Sequence, residues 1–156
     1  MTQAEGLPTT SDQAASARAQ LDGLLTSFID RIPGAQHALL GTGDGLKLAF
    51  TEQPVDEVDT TAAAISGIWS LARAQFKNAA GGVRQVGVEH DAGTLFLMSA
   101  GMVSKAVLGT VLAVVATPQA DAGQVGHEME KLIKGLDEHL IIQARRNSMY
   151  GQGQGL

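Results

Sequence analysis

The chain has 156 residues, 44% of them apolar and 4% aromatic, with a formal net charge of -5 and no cysteine. That length fits one domain with short tails, and the apolar share excludes wholesale disorder. The missing cysteines exclude a disulfide scaffold and a thiolate zinc site, and the acidic balance leaves no overall basic footprint for nucleic acid.

Residues 1–15 lack apolar periodicity and read as a flexible arm. The first helix is marked by Leu21, Leu24, Leu25, Phe28, Ile29 and Ile32, which recur at three and four residues, and Pro33-Gly34 ends it. A short strand, Gln36 to Leu40, follows. The glycine-rich Gly41-Thr42-Gly43-Asp44-Gly45 then leads into Leu46, Leu48 and Phe50, which alternate with Lys47 and Ala49. This spells a β-hairpin whose turn uses the tolerance of Gly and Asp for positive φ, with Leu46, Leu48 and Phe50 on one face.

An acidic run, Asp56-Glu57-Val58-Asp59, precedes a second helix expected over Thr60 to Ala79. Ile65, Ile68, Trp69, Ala72 and Phe76 form its apolar stripe, and Ala80-Gly81-Gly82 stops it. Three strands follow: one around Arg84, Val86 and Val88, one over Thr94 to Ala100, and one over Val107 to Ala116. The last is apolar on both faces and is expected in the centre of its sheet. Between the second and third lies a loop, Gly101 to Lys105. The final helix starts near Asp121 and buries Val125, Met129, Leu132, Ile133, Leu136 and Leu140. Its glycine- and glutamine-rich end, residues 143–156, reads as a flexible tail. The expected architecture is therefore an α/β (α+β) domain over residues 16–142. It has a five-stranded, mostly antiparallel sheet covered by three helices, in the order α-β-β-α-β-β-β-α.

The candidate chemistry is sparse. A dinucleotide loop needs a helix after its glycines, whereas Gly41 to Gly45 runs into a strand. His127-Glu128 opens like a zinc motif, but Lys131 stands where the second histidine belongs, and a cation cannot ligate zinc. His37 and His90 have no serine placed beside them by spacing. No catalytic, cofactor-binding or metal-binding residue is nominated, and no cofactor is expected.

The second helix carries small residues on nearly every side, including Ala62, Ala63, Ala64, Ser66, Gly67, Ser70, Ala72 and Ala74. One face would pack on the sheet. The opposite face would suit close helix–helix contact, although alanine also serves helix propensity alone. Trp69 reads as core or as an interface anchor. Arg73 and Lys77 read as contacts for an acidic partner or as solvated surface.

The hairpin segment His37-Ala38-Leu39-Leu40-Gly41-Thr42-Gly43-Asp44-Gly45-Leu46-Lys47-Leu48-Ala49 resembles the opening of roadblock/dynein light-chain domains. So do the small-residue helix and the segment Lys105 to Val114. The likeness covers Ala17 to Leu140 and points to the bacterial branch, with its MglB-type and conservon-type proteins. It implies a profilin-like fold and a homodimer in which second helices pair and third strands join. On this chain that places the seam at Ala63, Ser66, Gly67, Ser70, Arg73, Ala74, Lys77, Val86 and Val88. It further implies a non-enzymatic regulator or scaffold that binds a small Ras-like GTPase in bacterial signalling, and it allows a membrane-associated sensor kinase as a further partner. It supplies no catalytic residue, and neither Arg73 nor Arg84 is read as an arginine finger. The alternative functions are a small-molecule-sensing domain and a hydrolase with a spatially assembled site. No signal peptide is read, and the longest apolar run, Val111 to Ala116, cannot span a bilayer. A cytoplasmic location without direct membrane insertion is therefore expected.

Overall fold

Strand residues that alternate with a period of two must divide between the two sides of a sheet, and here each side is capped by helix. The computed structural model describes residue 6, residues 9–100 and residues 109–152. Its elements are α1 (Thr10–Asp30), β1 (Ala35–Thr42), β2 (Lys47–Phe50), α2 (Val55–Gln75), β3 (Gln85–His90), β4 (Gly93–Ser99), β5 (Thr110–Ala116) and α3 (Ala122–Gln152). The expected element order holds. The loop Gly101 to Lys105, together with Val107 and Leu108 of the expected strand, lies outside the described residues. So do the side chains of His139 and Leu140.

All neighbouring strands are antiparallel, and the sheet order is β2-β1-β5-β4-β3. Strand β5, apolar at every position after Thr110, is the central one, as its composition leads one to expect. Its register with β1 sets Leu112 beside Leu40 and Val114 beside Ala38, while Ala113 lies beside Leu39 and Val111 beside Gly41. The first set joins Phe96 and Met98 under α1 and α3, where Leu25, Phe28, Val125, Met129, Ile133 and Leu136 complete the main core. The second set joins Leu97 under α2, against Val58, Ile65 and Trp69.

Several boundaries move. Helix α1 begins at Thr10, inside the segment expected to be an arm, because Thr9 and Asp12 form a capping box. The Thr9 hydroxyl accepts from the Asp12 amide at 3.2 Å, and the Asp12 carboxylate accepts from the Thr9 amide at 3.3 Å. Helix α3 likewise runs on to Gln152, past the expected start of the tail. Helix α2 begins at Val55, with Pro54 at its N-cap, so Asp56 and Glu57 occupy its first turn instead of preceding it. It ends at Gln75, and Phe76 caps it instead of extending the buried stripe.

The hairpin also departs from simple alternation. Leu39 pairs with Phe50 and Leu40 with Ala49, but Gly41 pairs with Lys47, so a bulge intervenes. The bulge removes the common face expected for Leu46, Leu48 and Phe50: Leu46 is exposed, Ala49 is fully buried, and Leu48 and Phe50 pack against different clusters. In the turn, Gly45 alone takes positive φ, at 92°, and Asp44 does not.

The far edge of the hairpin is closed by α1. The Asp22 carboxylate accepts the outward-facing Phe50 amide at 3.0 Å, and the Arg18 guanidinium lies 4.9 Å from the centre of the Phe50 ring. At the other end of the sheet, β3 pairs with β4 alone.

Candidate functional site

Helix α2 is built with two unlike faces. Val58, Ala62, Ile65 and Trp69 recur at four, three and four residues and are buried against the sheet. Trp69 is 7% exposed and belongs to the cluster with Leu39, Val58, Ile65, Leu97, Val111 and Ala113. Of its two readings, core packing is the one realised. The hairpin turn closes over the same side: a Cβ on Gly43 would lie 3.2 Å from Trp69 Cδ1, and one on Gly45 would lie 3.3 Å from Ser66 Cβ.

The outer face carries Ala63, Gly67, Ser70 and Ala74, again at four, three and four residues, and all four are exposed. A Cβ on Gly67 would meet nothing within 4 Å. Leu71 and Phe76 stand exposed nearby, at 74% and 65%. A helix face of small side chains flanked by large exposed apolar ones is a shape suited to another protein surface.

The residues expected in the seam do not all share this face. Ala63, Gly67, Ser70, Arg73, Ala74 and Lys77 are exposed, Arg73 in the last helical turn and Lys77 just beyond the helix. Ser66 is half-buried and turned toward Gly45 of the hairpin. Val86 is half-buried against the α2 cluster, while Val88, two residues on along the same face of β3, is 40% exposed. Backbone pairing of Val86 with Leu97 and Val88 with Leu95 keeps both valines on the α2 side.

Between the C-terminal end of α2, the 76–84 connection and the start of β3 lies a groove of about 1170 Å³. Trp69 and Val83 contribute apolar lining, and Arg73, Lys77 and Arg84 contribute cations. Arg84, read from the sequence as part of the alternation of the third strand, joins the other two only through the chain reversal.

His37 and His90 each have one partner within the chain. His37 Nε2 lies 3.5 Å from Glu57 Oε2, while its Nδ1 is buried without a hydrogen-bond partner among the described residues. His90 Nδ1 accepts from the Ala92 amide at 2.9 Å, within the β3–β4 turn. Glu128, in the zinc-like motif, faces Lys131 at 3.6 Å. Among the described residues, no group of three or more His, Asp or Glu side chains is placed to hold a metal ion. No helix of these residues is long and apolar enough to cross a membrane.

The family model described as Roadblock/LC7 domain matches residues 21–116. No curated protein matches the chain. Among solved structures, a Roadblock/LC7 domain from Streptomyces avermitilis is 37% identical with a TM-score of 0.68, covering 77% of this chain and 97% of that one. MglB of Myxococcus xanthus is 17% identical with a TM-score of 0.62, covering 83% of this chain and 96% of that one. Acanthamoeba castellanii profilin II is 16% identical with a TM-score of 0.52, covering 74% and 94%. The last two are likenesses of fold.

Proposed function

The chain belongs to the Roadblock/LC7 family, and from that premise we propose that it is a non-catalytic interaction module that pairs with a second copy of itself and binds a small Ras-like GTPase in bacterial signalling. The observation that carries this reading is the juxtaposition of the small outer face of α2 with the open edge of β3. Small side chains let a second helix approach closely. An edge strand offers unpaired backbone donors and acceptors to an incoming strand. The C-terminal end of α2 and the start of β3 border one groove, so a partner surface placed there reaches both. A regulating or scaffolding role requires no chemistry from this chain; Glu57, Asp59 and Glu128 each face a basic side chain of the chain itself.

Two measurements test the reading. Sedimentation of the wild-type chain should report a pair, and Gly67→Asp should shift it to a monomer with little change in melting temperature, because the Gly67 position is open. Mixing the chain with a small GTPase encoded beside it, loaded with either nucleotide, should give a complex or a changed hydrolysis rate. A monomeric wild type would sink the pairing, and the absence of both effects would sink the GTPase role.

A further inference from the structure

The open edge of β3 has a fixed parity. Arg84 O accepts the Ser99 amide at 2.9 Å, and the ladder continues with Val86 opposite Leu97 and Val88 opposite Leu95. In an antiparallel ladder, residues that exchange hydrogen bonds with one neighbouring strand alternate with residues that turn both backbone groups the other way. Arg84, Val86, Val88 and His90 therefore direct their amides and carbonyls to β4. Gln85, Gly87 and Glu89 direct theirs to the open edge. These three lie on the face of β3 away from α2, and all are exposed.

This set of outward groups can match itself. Bringing the outer face of α2 against that of a second copy keeps both helices on one side of the joined sheet. That requires a two-fold axis through the sheet, and hence antiparallel β3 strands. Backbone parity then admits only registers in which outward-turned residues oppose one another. From this we infer that the two β3 strands join with Gly87 opposite Gly87 of the second copy and Gln85 opposite its Glu89. This register rests on the proposed pairing through β3, which by itself leaves the register open. Here all three outward-turned residues meet partners within the strand. A slip by two residues sets either Glu89 or Gln85 opposite a residue outside β3.

The side chains agree with it. On the α2 side, Val86 comes opposite Val88 of the second copy, which covers a valine that is 40% exposed in the single chain. On the other face, the Gln85 amide comes opposite the Glu89 carboxylate, a donor facing an acceptor, and no two carboxylates meet. Arg84 comes opposite His90 and not a second arginine.

The chain has no cysteine, so introduced cysteines report the register through disulfide formation. Opposed hydrogen-bonded residues have Cα atoms about 5.5 Å apart, inside the roughly 4.4–6.8 Å that a disulfide spans. A position cross-links with its own copy only where it lies at the two-fold axis. Full-length Gly87→Cys under a mild oxidant should form a covalent pair at least about tenfold faster than Gln85→Cys, Val86→Cys or Val88→Cys. A Cβ at Gly87 meets nothing within 4 Å, so its thermal melt should stay near wild type. Gln85→Cys and Glu89→Cys, mixed and left to exchange, should cross-link with each other although neither does so alone, and this arm leaves Gly87 intact. Cross-linking led by Val86→Cys or Val88→Cys would overturn the register and leave the pairing standing. A wild type that sediments as a pair, with no variant or mixture cross-linking faster than Gln85→Cys alone, would place the contact away from β3 and overturn the register too. A monomeric wild type would overturn the pairing itself, and the register with it.

Discussion

The carboxylate of Asp22 on α1 accepts the backbone amide of Phe50 on β2 across 28 positions of sequence, at 3.0 Å. It thereby satisfies a donor that would otherwise point off the end of the sheet. Asp22→Ala should leave that part-buried donor unpaired and lower stability by about 1–3 kcal/mol. Asp22→Asn keeps an acceptor oxygen and should cost less. Urea unfolding of the two variants, compared at equal m-value, checks the ordering.

Trp69 makes a second prediction. Trp69→Ala should cost about 3–5 kcal/mol, because the side chain is 7% exposed and wedged among Leu39, Ile65 and Val111. Trp69→Phe preserves most of the apolar volume and should cost clearly less. If Trp69 acted only as an interface anchor, both variants would unfold at the wild-type midpoint and differ in sedimentation alone.

The hairpin turn depends on Gly45. Its φ of 92° and the 3.3 Å approach of Ser66 Cβ to any added Cβ both disfavour a side chain. Gly45→Ala should therefore destabilise by at least about 1–2 kcal/mol. Gly67→Ala, in open helix, should instead stabilise by up to about 1 kcal/mol. Paired thermal melts would show opposite shifts.

Val88 separates folding from assembly. It is 40% exposed on the edge strand, so Val88→Lys should change unfolding free energy by no more than about 1 kcal/mol. The same substitution should weaken self-association if β3 forms part of the contact. Sedimentation over a range of concentrations, alongside denaturant melts, resolves the two effects.

The sequence revealed most where period and burial agree. Val111 to Ala116 is apolar at consecutive positions, so its central place was readable, as was the stripe from Val125 to Leu136 on α3. Boundaries were harder where two signals competed. Pro54 and the acids after it resemble a loop before a helix, yet a proline at the N-cap followed by acids in the first turn is equally a helix start. The Thr9-Asp12 capping box at the start of α1 was a local signal that the polar composition around it obscured. The bulge opposite Leu40 could not be read at all, since Leu46, Leu48 and Phe50 alternate perfectly in sequence. At the candidate site, the outer stripe of Ala63, Gly67, Ser70 and Ala74 was legible as helical spacing. The placing of Ser66 under the hairpin and of Arg84 in the same groove as Lys77 was not, because both follow from how other segments fold back on α2.

The two ends of the sheet are unequal: α1 and Asp22 close one, and β3 leaves the other free. A chain with two free edges can stack without limit, as fibres do. Here each molecule has a single edge to offer. Once two molecules have joined through it, neither retains an edge for a third. If pairing runs through β3 as proposed, growth through the sheet would end at two, and the same asymmetry would guard against open-ended stacking.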